Sequence, residues 1–482
     1  MIDFRPILFI VGILMSTLAL AMCVPAVADA AVGNKDWQVF TLGSAFTLLI
    51  GVMLLLTARS QSRALNLRQA FVLTTLSWMI IPAFGALPLA FADLQLSYTD
   101  AFFEAMSGIT TTGSTILTGL DYAPPGILLW RALLQWLGGI GIVAMAVAIL
   151  PMLQVGGMQL FRMESSDSSD KVLPRATQLI AFIGFIYLGM TMLCALLYWS
   201  FGMTGFDAVT HAMTTIATGG FSTHDESLGY FKSGAIDAIA SVFMLLGSLP
   251  FVLYLRGLRG NPGALWRDSQ VRWFLAIVLL TVLVMSAYLH FGRFIGVGES
   301  IQRASFNVIS VITGTGYATA DFNLWGTFAV GLLFFLMFVG GCAGSTTCGV
   351  KVFRLQVLYA TALSQIRRLL EPHGVFIAYY NGKPIPDSVG DSVMSFFFLY
   401  VLCFAALAIG LSFIGLDFLT AASGAATAIS NVGPGLGTTI GPAGNFATLP
   451  DSAKWLLSAG MLLGRLELFT VLVMLAPSFW RS

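Results

Sequence analysis

Residues 338–354 read "FVGGCAGSTTCGVKVFR", directly after the apolar run "LWGTFAVGLLFFLM" at 324–337. A helix that crosses a bilayer needs about 20 apolar residues and satisfies its own backbone groups. Here the run gives way to glycine, small polar residues and two cysteines before basic residues close it. Backbone that leaves the helix at membrane depth survives only inside protein or beside a polar cavity. The stretch therefore predicts a helix that is broken on purpose, next to an aqueous path.

The rest of the composition supports a membrane setting. Of 482 residues, 57% are hydrophobic and 10% charged, where soluble domains carry about 25% charged residues. The formal net charge of +1 and the lack of a basic run give nucleic acid nothing to bind. Cys23, Cys194, Cys342, Cys348 and Cys403 are scattered through apolar segments with no CxxC or Cys/His metal spacing, so they read as packing residues. At the N-terminus, Arg5, an apolar run and "AVADA" resemble a secretory signal. The run from Ile7 to Val27 is long enough to span, and it reads as an uncleaved first helix.

Apolar runs at about 6–27, 38–57, 68–92, 126–150, 177–200, 235–256, 271–292, 324–341, 393–415 and 452–478 predict ten spanning helices. Between alternate pairs lie four similar segments: "TDAFFEAMSGITTTGST", "GFDAVTHAMTTIATGGFST", "ESIQRASFNVISVITGTGYAT" and "LDFLTAASGAATAISNVGPGLG". Aligning them puts Gly113, Gly219, Gly316 and Gly433 in register, a period of roughly a hundred residues. Each begins near an acid (Asp100, Asp207, Glu299 or Asp417), which suits a helix N-terminus. A helix from acid to glycine is too short to cross, so each segment dips in and returns. The helix after each dip repeats as well, in "WLGGIG" (136–141), "LLGSLP" (245–250), "FVGGCA" (338–343) and "LLGRLE" (462–467).

The predicted fold is thus an all-α polytopic membrane protein. Four helix–pore-loop–helix repeats surround one pseudo-fourfold pore and follow two extra N-terminal helices. The expected divisions are 1–66 for the two extra helices, 67–155 for repeat 1, 174–260 for repeat 2 and 269–358 for repeat 3 with the broken helix. A cytoplasmic hairpin segment then occupies 359–390 and repeat 4 occupies 391–482. Basic residues set the orientation. Seventeen (Arg5, Arg59, Arg63, Arg68, Arg162, Lys171, Arg175, Arg256, Arg259, Arg267, Arg272, Lys351, Arg354, Arg367, Arg368, Lys383 and Arg481) fall on one side, against Lys35, Lys232, Arg293, Arg303 and Lys454 on the other. Both termini are then cytoplasmic, and the dips enter from outside.

Four strips of non-helical backbone facing one axis would present rings of carbonyls, which can replace the water shell of a dehydrated cation. The short helices would aim their partly negative C-terminal ends at the same axis. The bland alternative is that Gly/Thr segments merely let helices pack closely; four in register, each after a capped short helix, favour the pore.

The segments "TTTGST", "TIATGGFST", "TGTGYAT", "SNVGPG", "GGCAGST" and "GRLELFTV" resemble the Trk/Ktr/HKT superfamily of potassium uptake proteins, closest to the bacterial TrkH type, over essentially the whole chain. The resemblance implies a potassium ion as the transported species, with a filter strand from each repeat. These would be Thr110, Thr111, Thr112 and Gly113; Ile216, Ala217, Thr218 and Gly219; Thr313, Gly314, Thr315 and Gly316; and Ser430, Asn431, Val432 and Gly433. Relatives with glycine in all four strands favour potassium, while some with serine in the first favour sodium. The resemblance also implies an intramembrane gating loop on the cytoplasmic side of the filter, formed by Gly340, Gly341, Cys342, Ala343, Gly344, Ser345, Thr346, Thr347, Cys348 and Gly349. Relatives usually carry a further glycine where this chain has Thr347 and Cys348. A bacterial inner-membrane location, a homodimer with one pore per protomer, and docking on cytosolic TrkA-type regulatory subunits follow from the same resemblance. Any nucleotide (ATP/ADP or NAD) is expected on those subunits, and no covalent cofactor on this chain.

Arg465 lies inside an apolar segment, where a charge is costly and usually functional. Glu467, two positions on, points to another helix face and is a poor partner for it. Arg465 is read as a cavity-facing barrier to cations, with a structural ion pair as the alternative. Arg131 reads as snorkelling to the interface, and His211 as a packing or hydrogen-bonding residue. Asn381-Gly382 between short alternating runs predicts a hairpin of Val375–Tyr380 and Lys383–Pro386. Two rival functions differ in their needs. A sodium- or proton-coupled symporter of the same fold needs titratable groups at depth. An electron-transfer enzyme needs paired histidines for haem, whereas His211, His224, His290 and His373 stand in unrelated positions. Catalytic motifs are absent from the sequence.

Overall fold

The computed structural model describes residues 2–58, 65–148, 157 and 176–481. The expected repeat boundaries at 155 and 174 and the basic residues Arg59, Arg63, Arg162, Lys171 and Arg175 lie outside the described residues. The helices are α1 (Arg5–Val32), α2 (Trp37–Thr57), α3 (Leu67–Gly85), α4 (Tyr98–Ile109), α5 (Pro125–Ala148), α6 (Ala176–Ser200), α7 (Gly205–Ile216) and α8 (Gly234–Gly247). They continue with α9 (Phe251–Leu258), α10 (Ser269–Ala287), α11 (Val297–Ile312), α12 (Thr327–Leu336), α13 (Val352–Leu370), α14 (Asp387–Phe413), α15 (Phe418–Ser430), α16 (Asp451–Arg465) and α17 (Phe469–Leu475). Strands β1 (Tyr379–Tyr380) and β2 (Lys383–Pro384) form a small antiparallel pair.

Seven helices are long and apolar enough to cross a membrane among the described residues. Two further candidates are bent pairs, α8 with α9 at 91° and α16 with α17 at 113°. Three of the ten expected runs are broken: the break expected in repeat 3 is present, and the runs at 235–256 and 452–478, expected to be continuous, break as well. In the run at 324–341, α12 stops at Leu336, about four residues before the expected Gly340, and α13 begins at Val352.

Each break has a local cause. Between α8 and α9, Pro250 cannot continue the ladder. The freed groups bond to the 340s stretch instead: Phe251 N–H donates to Gly344 O (3.0 Å), and Ser248 O accepts from Cys342 N–H (3.0 Å). Between α16 and α17, Glu467 and Leu468 both adopt left-handed backbone (φ 58° and 54°). Two consecutive non-glycine residues in that region are strained and persist only where their surroundings hold them.

The short helices α4, α7, α11 and α15 contain 12, 12, 16 and 13 residues, too few to span. Ser97, Thr204 and Asp417 cap three of them, accepting from Asp100, Asp207 and Thr420 N–H. The first two helices pack at a small-residue crossing, where Gly12 and Gly51 approach each other and Ser44 Oγ donates to Ala19 O at 2.7 Å. Asp29, within "AVADA", is buried and accepts from Gly126 N–H at 2.7 Å, so α1 is fastened to α5. Large apolar side chains cover the outside of the bundle, among them Leu42, Phe185, Leu283, Phe398 and Ile409. A surface of that kind suits hydrocarbon rather than water.

The hairpin is shorter than expected. Asn381 and Gly382 are both left-handed (φ 52° and 78°), as a tight hairpin turn requires. Pairing extends only as far as Ile385 N–H to Ala378 O (2.8 Å), because Phe376 O is taken by Ser364 Oγ and Arg368 Nη2 from α13. The expected division between 358 and 359 falls inside α13, which runs unbroken from Val352 to Leu370.

Candidate functional site: a closed ring of backbone and the loop beside it

The four short helices hand over to four-residue segments of one design. At the second position the backbone turns left-handed, at Thr111 (φ 53°), Thr218 (50°), Gly314 (67°) and Asn431 (53°). At the third, the N–H reaches back into the helix: Thr112 to Ser107 O, Gly219 to Thr214 O, Thr315 to Ser310 O and Val432 to Thr427 O, at 2.8–3.1 Å. At the fourth stands a left-handed glycine: Gly113 (86°), Gly220 (79°), Gly316 (82°) and Gly433 (109°).

This pattern corrects the register of the second segment. Gly219 matches Thr112, Thr315 and Val432, while Gly220 matches the other three glycines. Ile216 is the last residue of α7, and the equivalent quartet is Ala217–Gly220. The sequence "ATGGF" offers two glycines in a row, and only the hydrogen-bond register tells them apart.

The segments close on one another in chain order. A Cβ on Gly113 would collide with Gly219 O, one on Gly220 with Thr315 O, one on Gly316 with Val432 O, and one on Gly433 would stand 2.9 Å from Thr112 O. Each fourth-position glycine thus sits against the third-position carbonyl of the next segment, and the fourth returns to the first. Glycine is required here for space as well as for dihedral angle. The glycine side of the ring opens into a cavity of about 80 Å³ lined by Gly113, Gly220, Gly316 and Pro434 together with His224 and Asp225.

A buried polar shell holds the ring. Arg131 Nε pairs with Glu104 Oε1 at 2.8 Å; the arginine also donates to Ser222 O (2.9 Å) and Thr115 Oγ1 (3.1 Å) and lies over the Phe221 ring. Both partners are at most 1% exposed, so the snorkelling expected of Arg131 is corrected: its acid neighbour lies on α4 and draws it inward. Ser114 Oγ donates to Gly433 O (2.7 Å), and Asn431 Nδ2 donates to Thr112 Oγ1 (2.8 Å), tying the last segment to the first. His211 is buried and bonded to Asp207 O and Ser222 Oγ, the structural role expected of it.

The stretch 340–349 lies on the other side of the ring, against the helix ends. Gly340 N–H donates to Val350 O (2.9 Å) and Val350 N–H to Phe338 O (3.0 Å), so the loop closes on itself. Thr346 Oγ1 donates to Ile216 O (3.2 Å) and Gly247 O (3.0 Å) and accepts from Thr218 Oγ1 (3.1 Å). Cys342, Ser345, Thr346 and Thr347 are buried. The cysteines stay free thiols.

Arg465 does not sit mid-helix as expected; it is the last residue of α16, at the break. Its Nη1 donates to Thr346 O (3.1 Å) and stands 2.7 Å from Cys348 Sγ, and its Nη2 donates to Gly138 O (3.0 Å). One guanidinium therefore ties the loop to α5. Glu467 pairs with Arg354 of α13, not with Arg465, as its position predicts. Lys351 donates to Thr347 O. A water-sized cavity of about 20 Å³ lies between the loop, Arg465 and Glu467.

Gly220 and Glu104 escaped the sequence reading. The only signals were the second glycine of "TGG" and a lone acid in α4 facing a lone arginine in α5. Lys351, Arg354 and Lys454, counted as loop charges, are buried and bonded. Setting them aside leaves the direction of the basic bias unchanged.

The TrkH family, described as a cation transport protein, matches residues 36–482. The Trk system potassium uptake protein TrkI of Halomonas elongata is 49% identical over 478 residues, 99% of this chain and 97% of that protein. TrkH of Vibrio parahaemolyticus is 39% identical over 487 residues, with 100% of both chains covered. The crystal structure of the potassium transporter TrkH from Vibrio parahaemolyticus superposes with a TM-score of 0.92 at 38% identity, again over 100% of both chains. The chain belongs to the TrkH family of cation transport proteins.

Proposed function

We propose that this protein takes up potassium across the bacterial inner membrane through a channel-like pore, four repeats forming one filter around a pseudo-fourfold axis. The observation that carries the reading is the closed ring, in which each glycine sits against the next segment's carbonyl. Alternating right- and left-handed residues turn successive carbonyls to one side, where they can stand in for an ion's hydration shell. The C-terminal ends of α4, α7, α11 and α15 meet the ring and favour a cation there. The filter residues are Thr110–Gly113, Ala217–Gly220, Thr313–Gly316 and Ser430–Gly433. Glycine at all four last positions supports potassium over sodium.

The loop from Gly340 to Gly349 is the gate, and Arg465 is a positive barrier beside it. Permeation requires this loop to leave the path. The charged groups around it support a gated pore rather than proton-coupled symport: Lys351 is bonded to the loop, and Arg354 and Glu467 to each other. Both termini lie in the cytoplasm by the basic-residue bias. The protein works as a homodimer on a ring of cytosolic TrkA-type subunits, which bind the regulatory nucleotide.

The reading is tested by rubidium-86 uptake into liposomes that hold the purified protein, with potassium, sodium or lithium as competitors. Competition by potassium and not by sodium is expected. Equal competition by sodium would replace potassium uptake with a general cation conductance.

A further inference from the structure

One side chain breaks the symmetry of the ring. Gln135 of α5 is fully buried. Its Nε2 donates to Gly219 O at 2.6 Å, and its Oε1 accepts from Phe221 N–H at 3.0 Å. It thus clasps the backbone on both sides of left-handed Gly220. A Cβ on Gly219 would run into the same carboxamide. Gly220 is therefore a glycine for the ring, and Gly219 is a glycine for Gln135.

The repeats show that this is not a packing requirement. Cβ atoms added to Gly138, Gly247 and Gly464 would each meet the end of the local short helix, at Ile109 O, Ile216 O and Ile429 O. These glycines are equivalent, and "FVGG" adds Gly340 by sequence. Three residues before them stand Gln135, Met244, Met461 and Met337, all buried. Methionine and glutamine have nearly the same length, so the repeats share the space and differ in the polar head.

We propose that Gln135 is a selectivity-determining positioning residue; the inference rests on the filter reading above. Among the described residues, the Gly219 carbonyl is the one third-position ring carbonyl that accepts a side-chain hydrogen bond. The bond fixes its direction and occupies one of its two lone pairs. A carbonyl held in place resists moving inward onto a smaller cation, so the clasp favours potassium over sodium at that ring. Gln135 acts through the backbone and does not touch the ion.

The test is Gln135→Met, which gives repeat 1 the residue of the other three repeats. Rubidium-86 uptake is measured with potassium and sodium as competitors, on protein shown to be monodisperse by gel filtration. Loss of one neutral hydrogen bond corresponds to a fall in the potassium-over-sodium preference of about fivefold, with total uptake retained. Gln135→Leu, which removes both polar ends at nearly the same size, should lower the preference to a similar extent. It also serves if the methionine variant fails to fold. Unchanged preference in either folded variant overturns the role of Gln135. Lack of preference in the unsubstituted protein would instead overturn the filter reading, and this inference with it.

Discussion

Gly219 and Gly220 are chemically identical neighbours with different tasks. A methyl group on Gly220 meets the Thr315 carbonyl, which is backbone and held by the ring; on Gly219 it meets the end of the Gln135 side chain. Side-chain ends give way more readily than backbone, and Gly220 is also left-handed (φ 79°) whereas Gly219 is not. Gly220→Ala should therefore abolish the discrimination of potassium from sodium, while Gly219→Ala should lower it only partly. Sodium competition against rubidium uptake checks the order, and the reverse order would make Gly219 the fourth-position glycine. Arg131 carries the complementary lesson. Its position in the chain suggested the membrane interface, but a buried acid 27 residues earlier supplies a partner at 2.8 Å, and pairing outweighs snorkelling.

Among the elements, the loop of repeat 3 is bonded both to its own repeat and to the breaks in repeats 2 and 4. Its backbone and Thr346 fasten to the break between α8 and α9, and Arg465 reaches it from the break after α16. Three broken helices thus converge, and groups freed by one break are satisfied by the next. Arg465→Ala removes the guanidinium that links the loop to α5 and with it the proposed positive barrier, so rubidium uptake should rise about tenfold or more, as for the loss of charged hydrogen bonds. Thr346→Val deletes the hydroxyl's two donations, to Ile216 O and Gly247 O, each shared through one proton. Its expected rise is smaller, on the order of fivefold for a net loss near 1 kcal/mol. Unchanged uptake in a correctly folded Arg465→Ala protein would reject the barrier role.

At the scale of the whole molecule, direct bonds close the ring where the chain's first and last repeats meet. Ser114 to Gly433, Asn431 to Thr112, Lys454 to Asp100 (2.5 Å) and Phe446 N–H to Thr115 O (2.9 Å) all join repeat 4 to repeat 1. The hairpin, by contrast, lies beyond the ring on α13, held through Phe376 O, with Val375 89% exposed. Deleting residues 375–386 should leave liposome uptake intact and abolish co-purification with a nucleotide-binding regulatory subunit. Retained binding would place the docking surface elsewhere.

Periodicity and composition in the sequence alone were enough to determine a fourfold repeat, short capped helices, a broken helix in repeat 3 and a charge set inside an apolar segment. Each of these follows from local rules: spanning length, backbone satisfaction and the cost of burying charge. The tertiary structure alone decided which glycine of a pair lines the ring, that the helices of repeats 2 and 4 also break, and that Arg131 and Glu104 meet. Those outcomes depend on partners from 27 to about a hundred residues away, or on a one-residue register that hydropathy does not encode. The Ser248 carbonyl freed at Pro250 is satisfied because Cys342 N–H is there to bond it, and Gly219 lacks a side chain where Gln135 fills the place. Complementarity of that kind exists only once the four repeats have closed.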